Sequence, residues 1–299
     1  MPVSHDADDV DDVLVTGAGR HVGWLARGPA NGTPVLYVHG WPGSRLEQCL
    51  IPGQVLRRFG VRLVSVDRPG YGNTEPLAAE RSARVADVLA IADALGIDRF
   101  PVMGFSGGGS NILTLAAVAP ERITRVVCVS GEMPWDDDDA IATSQPDQLA
   151  EVAMFRAGRT SELEEANRQF RSAFLEDVIG AFSGMTATLS RREQSWYSQQ
   201  WVKDTIVAEV TEGLRQSGEG SLDDSLISVR PFDIDVASIQ CPVLAVHGSA
   251  DDWEPLPNLR RVLANVPNAQ LFLLEGLNHF GPLLYPDLLI SLLSPAIGR

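Results

Sequence analysis

The sequence predicts an α/β protein, a mostly parallel sheet wrapped by helices and interrupted by one long helical stretch. Apolar strand-like runs alternate with helix-period segments up to residue 134 and again from residue 231. Such alternation places parallel strands between layers of helix. Residues 135–230 break it: they are rich in Glu, Gln, Arg and Ser, with aromatics spread through at helical spacing. Gly104-Phe105-Ser106-Gly107-Gly108 lies between a strand-like and a helix-like run. Strand, G-x-S-x-G, helix is the context in which the serine sits on a sharp elbow as a nucleophile.

Each element has a local reason. Val10–Val15 and residues 21–26 are short strands joined by Gly17-Ala18-Gly19, a β-hairpin. Residues 34–39 and 61–66 supply the next two apolar strands. Over residues 84–95 the apolar positions Val85, Val88, Leu89, Ala92 and Leu95 fall on one helical face, and Gly96 ends that helix. Residues 99–103 lead into the elbow. The helix behind it covers 110–118 and stops at Pro120, and residues 123–129 form the next strand. Within the helical stretch, 162–176 and 196–214 have the strongest period. Alternation then resumes with a strand at 242–247, a helix at 258–264, a strand at 270–274 and a last helix at 286–293. The expected division is a core of 1–134 and 231–299 and a helical cap of 135–230. The cap would cover the carboxyl ends of the strands, where open α/β sheets bind ligands.

Composition narrows the function. The 299 residues carry a net charge of −15 and are 44% hydrophobic. That charge repels phosphate backbones and anionic membrane surfaces, so neither nucleic acid nor membrane is an expected partner. The first ten residues lack the basic start and apolar stretch of a secretory signal, and no apolar run approaches a membrane span. A cytoplasmic protein is expected. Cys49, Cys128 and Cys241 are widely spaced and sit in or beside apolar segments, as buried free thiols do. The start of the chain, Val13 to Gly23, imitates a dinucleotide-binding loop, but His21 stands where glycine is required and no helix follows. Asp136 to Asp139 are four consecutive carboxylates, which cannot converge on one ion. No cofactor and no metal are expected.

A serine hydroxyl needs a base to take its proton, and a carboxylate to orient that base. His279, in Asn278-His279-Phe280-Gly281-Pro282, follows the last strand. Asp251, in Gly248-Ser249-Ala250-Asp251, follows the strand before it, and Asp252 is the neighbouring alternative. The chain order Ser106, Asp251, His279 is the order of the α/β-hydrolase triad. His39 and His247 each end a strand, where histidines usually brace loops. His5 lies in the acidic N-terminal segment and His21 on the hairpin. The developing oxyanion needs backbone donors. Gly107 N–H directly follows the nucleophile. In His39-Gly40-Trp41-Pro42-Gly43, Pro42 has no N–H, which leaves Trp41 as the second donor.

These pieces, with Asp67-Arg68-Pro69-Gly70-Tyr71-Gly72, resemble the α/β-hydrolase fold family in sequence and order from residue 39 to residue 282. The resemblance implies an eight-stranded, mostly parallel sheet with a helical cap inserted after the sixth strand. The H-G-x-P loop is also similar to that of epoxide hydrolases and haloalkane dehalogenases. Those carry aspartate at the elbow, where this chain has Ser106. The serine members remain: carboxylesterases, lactonases, carbon–carbon bond hydrolases, proline iminopeptidases and cofactor-free perhydrolases. The expected activity is cleavage of a small or medium-sized carboxylic ester, a small-molecule substrate. The alternatives are carbon–carbon bond or amide hydrolysis by the same three residues, and a non-catalytic binding protein. Among the aromatics at 135–201, Trp135, Phe155, Phe170, Phe174, Phe182, Trp196, Tyr197 and Trp201 suggest an apolar roof over the pocket.

Overall fold

A computed structural model describes residues 7–293 of the chain. Eight strands form one sheet: β1 Val10–Val15, β2 His21–Arg27, β3 Thr33–Val38, β4 Val61–Val66, β5 Phe100–Phe105, β6 Ile123–Val129, β7 Val243–Gly248 and β8 Ala269–Leu274. Their order across the sheet is β1-β2-β4-β3-β5-β6-β7-β8. β1 pairs antiparallel with β2, and β2 antiparallel with β4. Every pairing from β4 to β8 is parallel. The eight strands, the leading hairpin and the parallel remainder agree with the sequence expectation.

The central strands read as unbroken apolar runs because both faces of the sheet are covered. All six residues of β5 and of β7 are buried. Successive side chains point to opposite faces. Val35 and Tyr37 of β3 join Met103 and Phe105 of β5 on one face, with Leu56 and Ile290 from the helices Gly53–Phe59 and Pro286–Leu292. Leu36 and Val38 join Val102 on the other, against Ile112, Leu113 and Leu115 of the helix Gly108–Val118. Each of these fully buried aliphatic side chains contributes about 1.5–3 kcal/mol relative to exposure.

Two local expectations change, and one helix has no counterpart among them. The helix expected over 84–95 is two helices, Arg81–Arg84 and Ala86–Ala94. Buried Arg84 holds the first of them by bonds to the carbonyls of Leu77 and Pro69 and to the carboxylates of Asp223 and Asp224. The helix expected over 196–214 is also two, Arg191–Tyr197 and Gln200–Gly213, because Gln199 is extended at ψ 135°. The helix Gly53–Phe59 carries too short an apolar pattern, Val55 and Leu56 alone buried, to be seen in sequence.

Between β6 and β7 the chain forms helices from Asp138–Ile141 to Glu219–Ser228, with no strand among them. The four-aspartate run begins this insert, and its first three members bond to protein groups. Asp136 pairs with Arg261, Asp137 caps Ala140 N–H, and Asp138 pairs with Arg156. Among the described residues no group of His, Cys, Asp and Glu is arranged to hold a metal. No helix among them is long and apolar enough to cross a membrane. The three cysteines are free and buried, and burial pushes the Cys49 and Cys128 thiols up to about 11 and about 12.

Candidate active site

The sheet order turns at β3, with β4 on one side and β5 on the other. Such a switch point opens a crevice at the carboxyl ends of the strands. Ser106 leaves β5 there with φ +50°, a left-handed backbone on a residue other than glycine. That conformation costs about 1–3 kcal/mol and persists only where the surroundings hold it. They do: Ser106 N–H donates to Val129 O at 3.0 Å, and Ser106 O accepts from Gly109 and Glu132 N–H at 2.8 Å each. The turn has no room for a side chain next door. A Cβ on Gly108 would meet Val38 O at 2.2 Å.

His279, on the loop after β8, brings Nε2 to 3.0 Å from Ser106 Oγ, and its Nδ1 lies 3.0 Å from Asp251 Oδ2. The three residues singled out in sequence therefore meet. The hydrogen-bond pattern assigns the Nδ1–H tautomer, donating to Asp251 and accepting from Ser106. Asp251 is fixed through its second oxygen, which accepts the N–H groups of Trp253 and Glu254 at 3.0 Å each. Burial would raise this carboxyl, but His279, His247 and the Glu254 N–H together hold it below the usual range. The competitor Asp252 accepts no such set; its N–H donates to Asn278 Oδ1 at 3.4 Å.

The His279 loop is held by residues that sequence reasoning missed. Ser130, itself at φ +43°, donates its hydroxyl to His279 O at 2.7 Å. Asn278 Oδ1 accepts His279 N–H at 2.7 Å, and Asn278 N–H donates to fully buried Glu193 at 2.9 Å. No motif surrounds Ser130, and Ser190-Arg191-Arg192-Glu193 reads in sequence only as a helix capping box, so the contact of either residue with the His279 loop appears only in the fold. His247 braces as expected, donating Nε2–H to Glu254 O at 3.0 Å, and it also comes within 3.5 Å of Asp251 Oδ2.

Both expected oxyanion donors are free within the described residues, since neither Trp41 N–H nor Gly107 N–H donates to a protein acceptor. They are neighbours: a Cβ on Gly107 would lie 3.5 Å from Trp41 N. Three side chains orient the loop. Gly40 N–H is taken by Glu47 at 3.0 Å. Gly40 O accepts from Arg68 at 2.7 Å and from His39 Nδ1 at 2.8 Å. His39 Nε2 in turn accepts Arg68 N–H at 2.9 Å. The Gly40 groups are thus consumed and the Trp41 N–H is left available. Gly107 opens the helix Gly108–Val118, whose N-terminal dipole favours negative charge at the same point.

Beneath this loop two carboxyls face each other across core and insert. Glu47 accepts the Tyr37 hydroxyl at 2.6 Å, and Glu209 comes from the helix Gln200–Gly213. Burial above all lifts Glu47 to about 7, against the bonds from Tyr37 and Gly40, which lower it. Burial and then the Glu47 charge lift Glu209 well above the carboxylate range, and its Oε2 has no partner among the described residues. Both carboxyls ionise near pH 4.3 in an unfolded chain. The folded state, which retains their protons, therefore loses stability as pH climbs from about 4.3 toward 7, and the loss persists above. Glu209→Gln should raise the melting temperature at pH 8 by more than at pH 5. A gain of roughly 1–2 kcal/mol would appear as about 2–8 °C in a domain of this size. Thermal melts at the two pH values check it, and an equal or smaller gain at pH 8 contradicts it.

Ser106 opens into a cavity of about 380 Å³ roofed by the insert, within the usual range for small-molecule sites. Of the insert aromatics, Trp135 and Phe170 line it, and Phe182 lines a smaller pocket beside His279. Phe174, Trp196 and Tyr197 pack into the core, and Trp201 is exposed. Trp41 also lines the cavity, stacked on Phe170 with centroids 4.4 Å apart and donating Nε1–H to Ser221 Oγ at 2.8 Å. The expected apolar roof is only part of the lining, because Glu132, Glu151 and Glu254 face the same space.

Residues 33–284 match the model of a family described as alpha/beta hydrolase fold. A non-heme chloroperoxidase of Streptomyces lividans is 27% identical over 287 residues, covering 92% of this chain and 95% of that protein. A pimeloyl-[acyl-carrier protein] methyl ester esterase of Nitrosomonas europaea is 24% identical over 271 residues, covering 87% and 94%. Among solved structures, a thermophilic esterase from Thermogutta terrifontis superposes with a TM-score of 0.65 at 19% identity, covering 94% of this chain and 96% of that one. At that identity the likeness speaks for the fold alone.

Proposed function

We propose, from the premise that the chain belongs to the alpha/beta hydrolase fold family, that it is a serine hydrolase cleaving a small or medium-sized carboxylic ester. The observation that carries the reading is the relay Asp251–His279–Ser106, with 3.0 Å at each link, beside two uncommitted backbone donors. Ser106 Oγ attacks the ester carbonyl carbon as His279 Nε2 takes its proton. The carbonyl oxygen becomes an oxyanion between Trp41 and Gly107 N–H, where one such donor contributes about 2.7–4 kcal/mol to the transition state. Collapse expels the alkoxide, which leaves as alcohol with the proton from His279. Water, deprotonated by His279, attacks the acyl-Ser106 ester; the acyl C–Oγ bond breaks, the acid is released, and His279 returns that proton to Ser106 Oγ. Asp251 fixes the His279 tautomer and steadies the imidazolium formed at each attack. The insert, residues 135–230, acts as a cap that keeps the acyl-enzyme under cover of the cavity. A relative named as an esterase, spanning nearly the whole chain, supports the choice of ester.

A panel of p-nitrophenyl esters set against aminoacyl-anilides tests the bond type. Faster ester turnover is expected; anilide turnover exceeding it assigns the same three residues to amide hydrolysis. The absence of turnover on both, with ligand still bound, would favour a binding protein.

A further inference from the structure

Glu254 is the group that the hydrolytic scheme leaves unused and the cavity leaves unbalanced. It is 6% exposed and lines the space above Ser106. Its backbone is locked to the relay: its N–H donates to Asp251, and its carbonyl accepts from His247. Its carboxyl makes no hydrogen bond and no ion pair among the described residues. Burial pushes that carboxyl well up, and the charges acting on it, Glu132 and Asp251, are both negative. A buried carboxyl with no partner is costly. A fixed carboxyl whose ionisation is costly, facing an open cavity, is the arrangement expected where a ligand brings the positive charge that draws its proton off.

The rest of the lining agrees. Glu132, at the carboxyl end of β6, accepts only the Ser228 hydroxyl among the described residues, at 2.5 Å. Arg68 and Arg81 moderate it from a distance, but neither is in salt-bridge contact with it. Arg68 is committed to Asp224 and the Gly40 carbonyl, and Arg81 donates to Ile227 O. Glu151 adds a third carboxyl, raised chiefly by burial. The remaining walls include Trp41, Trp135, Phe170 and Trp253. Aromatic faces and desolvated carboxylates both favour an ammonium group, and the same walls repel an anion.

We propose that this cavity selects substrates bearing a positively charged ammonium group, held by Glu254 with Glu132 beside it while Ser106 reaches the scissile carbonyl. The proposal rests on the reading of this cavity as the substrate site, but its test does not need turnover. Choline and 3,3-dimethylbutan-1-ol share one shape and differ in charge. Each is titrated calorimetrically into the Ser106→Ala protein. Choline should bind at least about tenfold more tightly, a difference of about 1.4 kcal/mol. Glu254→Gln in the same background keeps the size and a hydrogen-bonding group but removes the charge, and should bring the preference below about threefold. Glu132→Gln should cut it in part, and it serves as the reporter if the Glu254 variant fails to melt as a folded protein. Equal binding of the neutral alcohol to the Ser106→Ala protein overturns the proposal. So does a preference that survives both glutamine variants. If charge selection fails while ester turnover is present, hydrolysis stands and only the ammonium selectivity falls. Selection without any turnover leaves the ammonium site and removes the hydrolase.

Discussion

Ser106→Ala is expected to lower kcat on a chromogenic ester by about 10⁶. The hydroxyl lies 3.0 Å from His279 Nε2, and Ser106 lines the cavity. The substitution should leave the elbow in place, because Ser106 is held through its backbone, bonded to Val129, Gly109 and Glu132, and not through Oγ. Alanine inherits the same φ of +50°, so the strain persists and is no source of large stability change. The oxyanion donors survive, so a residual acceleration of about 10³–10⁴ over water should remain. A stopped assay on wild type and variant, with matched melting temperatures, reads the effect. A loss of under about a hundredfold would mean that another group attacks the carbonyl.

Asp251→Asn should cost about 10⁴ in kcat with little change in the fold. The reason is directional. Oδ1 of Asp251 accepts two backbone N–H groups, from Trp253 and Glu254. An asparagine must therefore place its carbonyl oxygen there, which forces the NH₂ toward His279 Nδ1, 3.0 Å from the present Oδ2. His279 then has to accept at Nδ1 and carry its proton on Nε2, facing Ser106 with no lone pair to receive a proton. The same variant should flatten the acid limb of the stability profile. The Asp251 carboxyl is held below its ordinary range, so its contribution is complete above the unfolded value and vanishes as pH falls through the lower, folded one. Kinetics and an acid titration of the variant test both statements. A loss near tenfold would show that Asp251 does not set the tautomer.

What was readable in the sequence follows from locality. The Ser106 elbow, the Trp41 loop and the positions of Asp251 and His279 are each fixed within a few residues of a strand end. Strand ends are marked by apolar runs stopping at glycine or polar residues. The parallel order followed from strand–helix alternation for the same reason. The braces were hidden because each joins distant segments through a single ordinary residue: Ser130 to the His279 loop, Glu193 to Asn278, Glu47 to Gly40. The insert was least legible. Its helices bury small, irregular faces, so period alone ran two helices together across Ser198 and Gln199. It also could not say that Phe170 turns to Trp41 while Trp201 faces solvent. Glu254 carried no signal either, since a glutamate three residues after an aspartate is unremarkable until a cavity opens in front of it.

The central claim is that Ser106 is a nucleophile activated by His279. Treating the folded protein with a fluorophosphonate and mapping the adduct by peptide mass tests it directly. The account predicts a single covalent adduct on the Ser106 hydroxyl that disappears in His279→Ala; a folded protein left unlabelled, or labelled at another residue, would contradict it.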